Sequence, residues 1–286
     1  MGANFTAVCQ RSVAGKYLMM GSCWRVVIGI FLGATLLHPA KAADWRSTIS
    51  DNPPGPFAPP RPFRATYRFG WSGIPAATAE INFAKPSDTR FRVEGTGRTI
   101  GLVRTLWKID VSLNALADAK TLRPIESWQN ETTRSKKIST HLTFDAKGVT
   151  SSRSEKEAIP KVKRFDFPNL YDLQSALLYL RSQPFASQKV QRIAVYPTTS
   201  PYLATITVLG REKISVSGRT YDAIKFDLKL SKIGKNNELQ PHRKFRRATA
   251  WMSDDADRLL LRINAQIFIG TVFLELQSVR FQDSKQ

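Results

Sequence analysis

The chain has 286 residues, a formal net charge of +20, 42% hydrophobic and 10% aromatic residues, and only 3 His and 2 Cys. This composition excludes wholesale disorder, and with no apolar run of ~18 residues a bundle of membrane-spanning helices is excluded too. Two cysteines cannot build a disulfide scaffold or a four-thiolate zinc site, so the fold must rest on a hydrophobic core, for which the length is ample.

Val26–Leu37, VVIGIFLGATLL, is a short apolar block preceded by Arg25 and followed by Ala40-Lys41-Ala42. A basic flank, a short apolar core and a small-x-small triplet form the secretory signal pattern, and the block is too short to span a bilayer. Residues 1–42 are therefore expected to be a cleaved signal peptide, cut after Ala42 or Ala43, with Met1, Met19 or Met20 as the start. Cys9 and Cys23 both fall inside it, and Cys23 stands before the apolar core, which argues against a lipoprotein signal. Cleavage removes Arg11, Lys16, Arg25 and Lys41 and no acid, so the mature chain stays strongly basic. For an exported protein the available polyanions are lipid headgroups, lipopolysaccharide and cell-wall polymers, and nucleic acid is not an expected partner.

Residues 43–62 contain PPGPFAPPRP, an extended Pro-rich tether expected to lie outside the packed core. The folded domain, residues 63–286, then reads as strands. Ala65, Tyr67, Phe69 and Trp71 alternate with polar residues or glycine, Ser72-Gly73-Ile74-Pro75 turns the chain, and Ala77, Ala79, Ile81 and Phe83 return. Further alternations run through Trp107–Ala115, Ile138–Phe144, Ala204–Val208 (closed by Gly210), Ile214–Val216, Ile224–Leu230, Phe245–Trp251, Leu259–Ile263 and Val272–Leu276. Leu173, Ala176, Leu177 and Leu180 instead follow helical spacing, with Asn169 as the expected cap, Asp172 in the first turn and Pro184 as the stop. The fold class is mainly β: an antiparallel curved sheet or open half-barrel with one short amphipathic helix.

Motifs for chemistry are sparse. His141 and His242, the histidines outside the leader, have no ligand-spaced partners, so no metal or other cofactor is expected. Gly70-Trp71-Ser72-Gly73 is one residue short of a nucleophile elbow and sits between strands, where a hairpin turn is the simpler reading. Gly95-Thr96-Gly97-Arg98-Thr99-Ile100-Gly101 lacks phosphate-loop spacing and reads as a flexible loop with no following helix to receive an anion. Glu126 and Glu131 flank Trp128, but a spacing of five in a strand puts them on opposite faces. The chain is read as non-enzymatic. Trp45 precedes the tether; Trp71, Trp107, Trp128 and Trp251 are read as strand residues that would line a cavity if the barrel is open. Arg243, Lys244, Arg246 and Arg247 form a candidate patch for an anionic partner, and Lys161-Val162-Lys163-Arg164 a second basic run of the kind that protects sheet edges.

FRATYRFGWSGIPAATAEINF (residues 63–83), Leu122-Arg123-Pro124 with the strand after it, YDLQSALLYLRSQPF (171–185) and the closing 250–276 segment resemble a bacterial family, domain of unknown function 3108. The resemblance implies export in a Gram-negative bacterium, hence a periplasmic location, and brings no catalytic residues. The strand pattern with a lone helix and a Trp-x-x-Asp hairpin also resembles, in architecture only, the periplasmic lipoprotein carriers. Three functions follow as expectations: a binding module for a lipid-like or otherwise apolar or anionic envelope ligand, a scaffold touching cell wall or outer membrane, or a hydrolase of envelope polymers.

Overall fold

The structure, a computed structural model, describes residues 44–156, 158–242, 245–267 and 270–282. The expected signal peptide, with Cys9 and Cys23, lies outside them.

The strands are β1 (Phe63–Trp71), β2 (Ile74–Ser87), β3 (Arg90–Thr99), β4 (Ile109–Asp118), β5 (Pro124–Thr133), β6 (Lys137–Asp145), β7 (Gly148–Glu155) and β8 (Lys161–Asp166) in the first half. The second half supplies β9 (Val190–Val195), β10 (Tyr202–Val216), β11 (Arg219–Ile233), β12 (Leu239–Pro241), β13 (Phe245–Ser253), β14 (Leu260–Ile267) and β15 (Gly270–Phe281). All join one antiparallel sheet in the order β8-β7-β6-β5-β4-β3-β2-β1-β15-β14-β13-β11-β10-β9, with short β12 added to β11. First and last strands meet at β1 and β15, Phe63 opposite Phe281. The sheet stays open: β8 and β9 are edges, and among the described residues no strand pairing joins them. The sheet curls far enough for Leu142 and Val149 to share a core cluster with Ala194, Tyr196 and Leu203 from the opposite edge. Phe167 and Leu170 fill the space between the edges. An open, curved antiparallel sheet is the expected class.

Between the sheet halves sits the expected helix, α2 (Leu173–Ser182), preceded in the chain by a short helix, α1 (Gly101–Leu106). The cap of α2 is Asp172, not Asn169: the Asp172 carboxylate accepts from the Ser175 backbone N–H at 2.7 Å. Asn169 instead takes a left-handed turn (φ 61°) that leads Tyr171 into a bridge with Val195. Leu178 packs with Phe83, Phe91, Ala117 and Leu122 from the first half, and Tyr179 with Ile193, Ile206 and Phe226 from the second. One helix thus ties both halves of the sheet.

The glycine-rich run is not a flexible loop. Gly95 and Gly97 lie within β3, paired with Leu113 and Val111, and α1 does follow, so the expectation of no helix there fails. Trp107 ends α1 rather than starting a strand. Gly210 does not close a strand: it sits at a bulge (φ 154°), and β10 continues to Val216. The tether is extended but docked. Trp45 stacks on Phe167 at 5.7 Å and donates Nε1–H to the carbonyl of Asn237 at 2.8 Å. The Ser50 N–H donates to Arg192 O at 2.8 Å, and Pro60 is buried. A Cβ on Gly55 would stand 2.1 Å from Ser182 O, so only glycine permits that approach. A proline-rich segment has little backbone freedom to lose on docking, which is why it becomes a strap rather than a free linker.

Candidate functional site

A cavity of about 520 Å³ lies between α2 and the sheet. Tyr67 and Phe69 of β1, Ile81 and Phe83 of β2, Ile206 of β10 and Phe226 and Leu228 of β11 face it. The predicted helical stripe, Leu173, Ala176, Leu177 and Leu180, forms the opposite wall. Leu178, beside the stripe, lines the cavity as well and packs with Phe83, Phe91, Ala117 and Leu122, whereas Tyr179 is fully buried in the core cluster, against which Ala176, Leu177 and Leu180 also pack. Phe69 and Leu173 are exposed, so the cavity reaches solvent. Its size is that of a small-molecule site, and its wall is hydrocarbon apart from Tyr67, Gln174, Arg181, Trp251 and Arg258.

The charged groups gather at the C-terminal end of α2. Arg181 is 5% exposed and Arg258 3%. Arg181 Nε–H donates to Arg258 O at 2.9 Å, and Arg258 Nη1 donates to Arg181 O and Gln183 O, both at 2.5 Å. The Arg258 guanidinium also stacks 3.3 Å above Phe57 and 4.3 Å from Phe185. Burial pulls the pKa of each arginine down to about 10, which leaves both ionised at neutral pH. Asp257 is held below the usual carboxylate range by Arg61, whose Nη2 lies 2.6 Å from it. The Tyr67 hydroxyl donates to Leu260 O at 3.0 Å, and burial raises its pKa.

Of the four tryptophans expected around a cavity, Trp251 alone lines this one, with Nε1–H donating to Glu212 at 2.7 Å. A bulge between Phe69 and Gly70 shifts the β1–β2 register, and Trp71 emerges exposed at the hairpin tip. Trp107 is exposed after α1. Trp128 lies away on β5, stacked on His141 at 4.7 Å. Beside that stack, His141 Nε2 and Glu126 Oε2 are 3.3 Å apart, while Glu131 lies opposite Ile138. Gly70-Trp71-Ser72-Gly73 is the β1–β2 turn, with Ser72 and Gly73 both at positive φ. Arg243, Lys244 and the Arg246 side chain lie outside the described residues. Arg247 is on β13, where its guanidinium pairs with Asp227. The second basic run is edge strand β8, where Arg164 holds Asp145 at 2.7 Å and Asp166 at 2.8 Å. No group of three or more His, Cys, Asp or Glu among the described residues is placed to hold a metal, and no helix among them is long and apolar enough to cross a membrane.

Sequence reasoning missed the phenylalanines and Tyr67 as wall residues and Arg181 and Arg258 as its polar end. The alternation of Tyr67 and Phe69 was the available signal for the first group. Nothing local marks a buried arginine.

The family model described as "Protein of unknown function (DUF3108)" matches residues 63–277. No curated protein matches the sequence. Among solved structures, a β-barrel-like protein of domain of unknown function DUF1849 from Brucella abortus superposes with a TM-score of 0.55 at 8% identity, covering 79% of this chain and 100% of its own. A DUF1089 family protein from Pseudomonas aeruginosa gives a TM-score of 0.35 at 11% identity, over 67% of this chain and 90% of its own. The likeness to the Brucella protein is one of fold. The chain belongs to the DUF3108 family, a family of unknown function.

Proposed function

We propose that this chain is an exported, periplasmic, non-enzymatic binding protein that holds a lipid-like ligand in the cavity between α2 and the curled sheet. The observation that carries the reading is an open apolar volume of about 520 Å³ whose wall includes the apolar stripe of an amphipathic helix. A fatty chain gains ~0.8 kcal/mol for each methylene taken out of water against this wall. Native mass spectrometry of protein purified without denaturant should show a co-purifying mass in the lipid range. Ala176→Phe, which pushes a ring into the cavity from α2, should lower affinity for a fluorescent fatty-acid analogue at least tenfold while leaving the melting transition in place. Protein that emerges bare and takes up no such analogue removes this reading.

A second contact, with an anionic lipid surface, is favoured by the hairpin tip. Ile74, Leu102, Leu106 and Trp107 are exposed there with Trp71. The Ile100 N–H, donating to Ala76 O at 2.9 Å, fixes α1 beside β2. Arg98 and Lys108 stand near Asp110, and Arg134 donates to Thr105 O. Exposed tryptophans among cations suit a headgroup interface. Co-sedimentation with vesicles containing anionic lipid should occur at low salt and fall at least tenfold in Leu102→Glu/Trp107→Ser; equal pelleting of the two proteins would remove this contact.

A further inference from the structure

The apolar wall sets what tail the cavity takes, and Arg181 bears on the head. Its side chain lines the cavity from the last turn of α2, and Nε makes the single protein hydrogen bond described for the guanidinium, to Arg258 O. Nη2 is buried with no hydrogen-bond partner. A buried cation in that state is costly unless an anion joins it. The nearby acids are already engaged. Asp257 accepts from Arg61 Nε and Nη2 at 3.2 and 2.6 Å. One oxygen of Asp255 accepts from the Ser253 hydroxyl and from the backbone N–H of Asp257 and Arg258. Arg258 adds a second cation spent on carbonyls, with its backbone oxygen accepting from Arg181. The buried end of the cavity therefore carries excess positive charge beside one arginine with donor capacity left.

We propose that Arg181 is the anchor for the anionic oxyacid head of a single-chain amphiphile whose tail fills the cavity. This rests on the apolar-ligand reading above and adds charge selectivity to it. A guanidinium fits a carboxylate or a phosphate monoester equally through paired N–H donors, so the shared chemistry is a small oxyanion on a long alkyl chain. Against a neutral alcohol of the same length, the oxyanion gains a charge-assisted pair in a low-dielectric pocket.

The test compares delipidated wild-type protein with Arg181→Met and Arg181→Lys by displacement of a neutral fluorescent probe, using hexadecanoate, hexadecyl phosphate and hexadecanol. Wild type should bind either anion at least tenfold more tightly than the alcohol. Arg181→Met should bind all three with nearly the alcohol's affinity, and Arg181→Lys should recover part of the preference. Tighter binding of the carboxylate points to a free fatty acid, and of the phosphate to a phospholipid-derived head. Equal binding of anions and alcohol by wild type overturns the anchor while leaving the apolar reading intact, as does a preference that survives in Arg181→Met. Binding of none of the three overturns the apolar reading itself. The wild-type comparison needs no variant and can overturn the anchor by itself; should Arg181→Met not fold, a preference undiminished in Arg181→Lys overturns the assignment to Arg181 and a reduced one supports it.

Discussion

Arg258→Met should lower the free energy of unfolding by about 3–5 kcal/mol, the range expected when one partner of a buried, charged hydrogen-bond group is removed. The last carbonyls of any helix have no intrahelical donor. In α2 those of Arg181 and, just beyond, Gln183 are buried, and Arg258 Nη1 reaches both at 2.5 Å. A cation there also complements the negative end of the helix dipole. Methionine keeps an unbranched apolar stem but is shorter, carries no charge and donates nothing, so two carbonyls lose their partner. It also gives up the stack on Phe57, which holds the proline-rich strap to the domain. Two readouts follow from one substitution. Urea unfolding should shift to lower midpoint with little change in slope, and limited proteolysis should cut faster within residues 44–62. A loss below about 1 kcal/mol would mean that water replaces the arginine at these carbonyls without penalty.

What was legible in the sequence divides by locality. The β1–β2 hairpin, the long alternating strands and α2 carry their periodicities within ten or so residues, and the structure has them. Strands β3, β7 and β8 were hidden by composition. Gly95 and Gly97 in β3, the serines of β7 and the lysines of β8 weaken the apolar alternation, and only pairing with stronger neighbours makes strands of them. Gly210 looked like a strand end because a bulge and a turn use the same residue. The stripe on α2 was legible as a stripe, but not what it faces: a helical pattern reads the same whether the opposite wall touches it or stands away. Arg181 and Arg258 are further removed still. They are about seventy-seven residues apart in sequence, and each takes its meaning from the other's carbonyl. The cap shows the limit at short range too. Asn169 and Asp172 are both good capping residues by type, and the choice falls to Asp172 because Tyr171 must first pair with Val195.

Asp172 carries the second large effect: between pH 4 and pH 7 this chain should become less stable, and Asp172→Asn should remove that fall. The residue is 1% exposed, one oxygen caps α2 and the other, Oδ2, has no hydrogen-bond partner. Burial pushes its pKa up to about 6 from 3.8, against the opposing pull of the Ser175 and Gln174 backbones. The unfolded chain releases this proton near pH 4, whereas the folded chain keeps it to about pH 6. In that window the folded state binds more protons, so the stabilisation is fully present below the unfolded pKa and is lost as pH rises through the folded one. At ~1.4 kcal/mol per pKa unit the loss amounts to about 3 kcal/mol. Asparagine caps as well as aspartate and has no charge to desolvate, so Asp172→Asn should match the parent near pH 4 and exceed it by up to about 3 kcal/mol at pH 7. Asp145 and Asp257 do not blur the comparison. Arginines hold both below the usual range, so their contribution fades only on acidification below that window. Urea unfolding of both proteins at pH 4, 5, 6 and 7 gives the answer: curves that diverge steadily with pH support a carboxyl held protonated by burial, and curves that stay parallel would show that water reaches Oδ2 and that the cap is solvated.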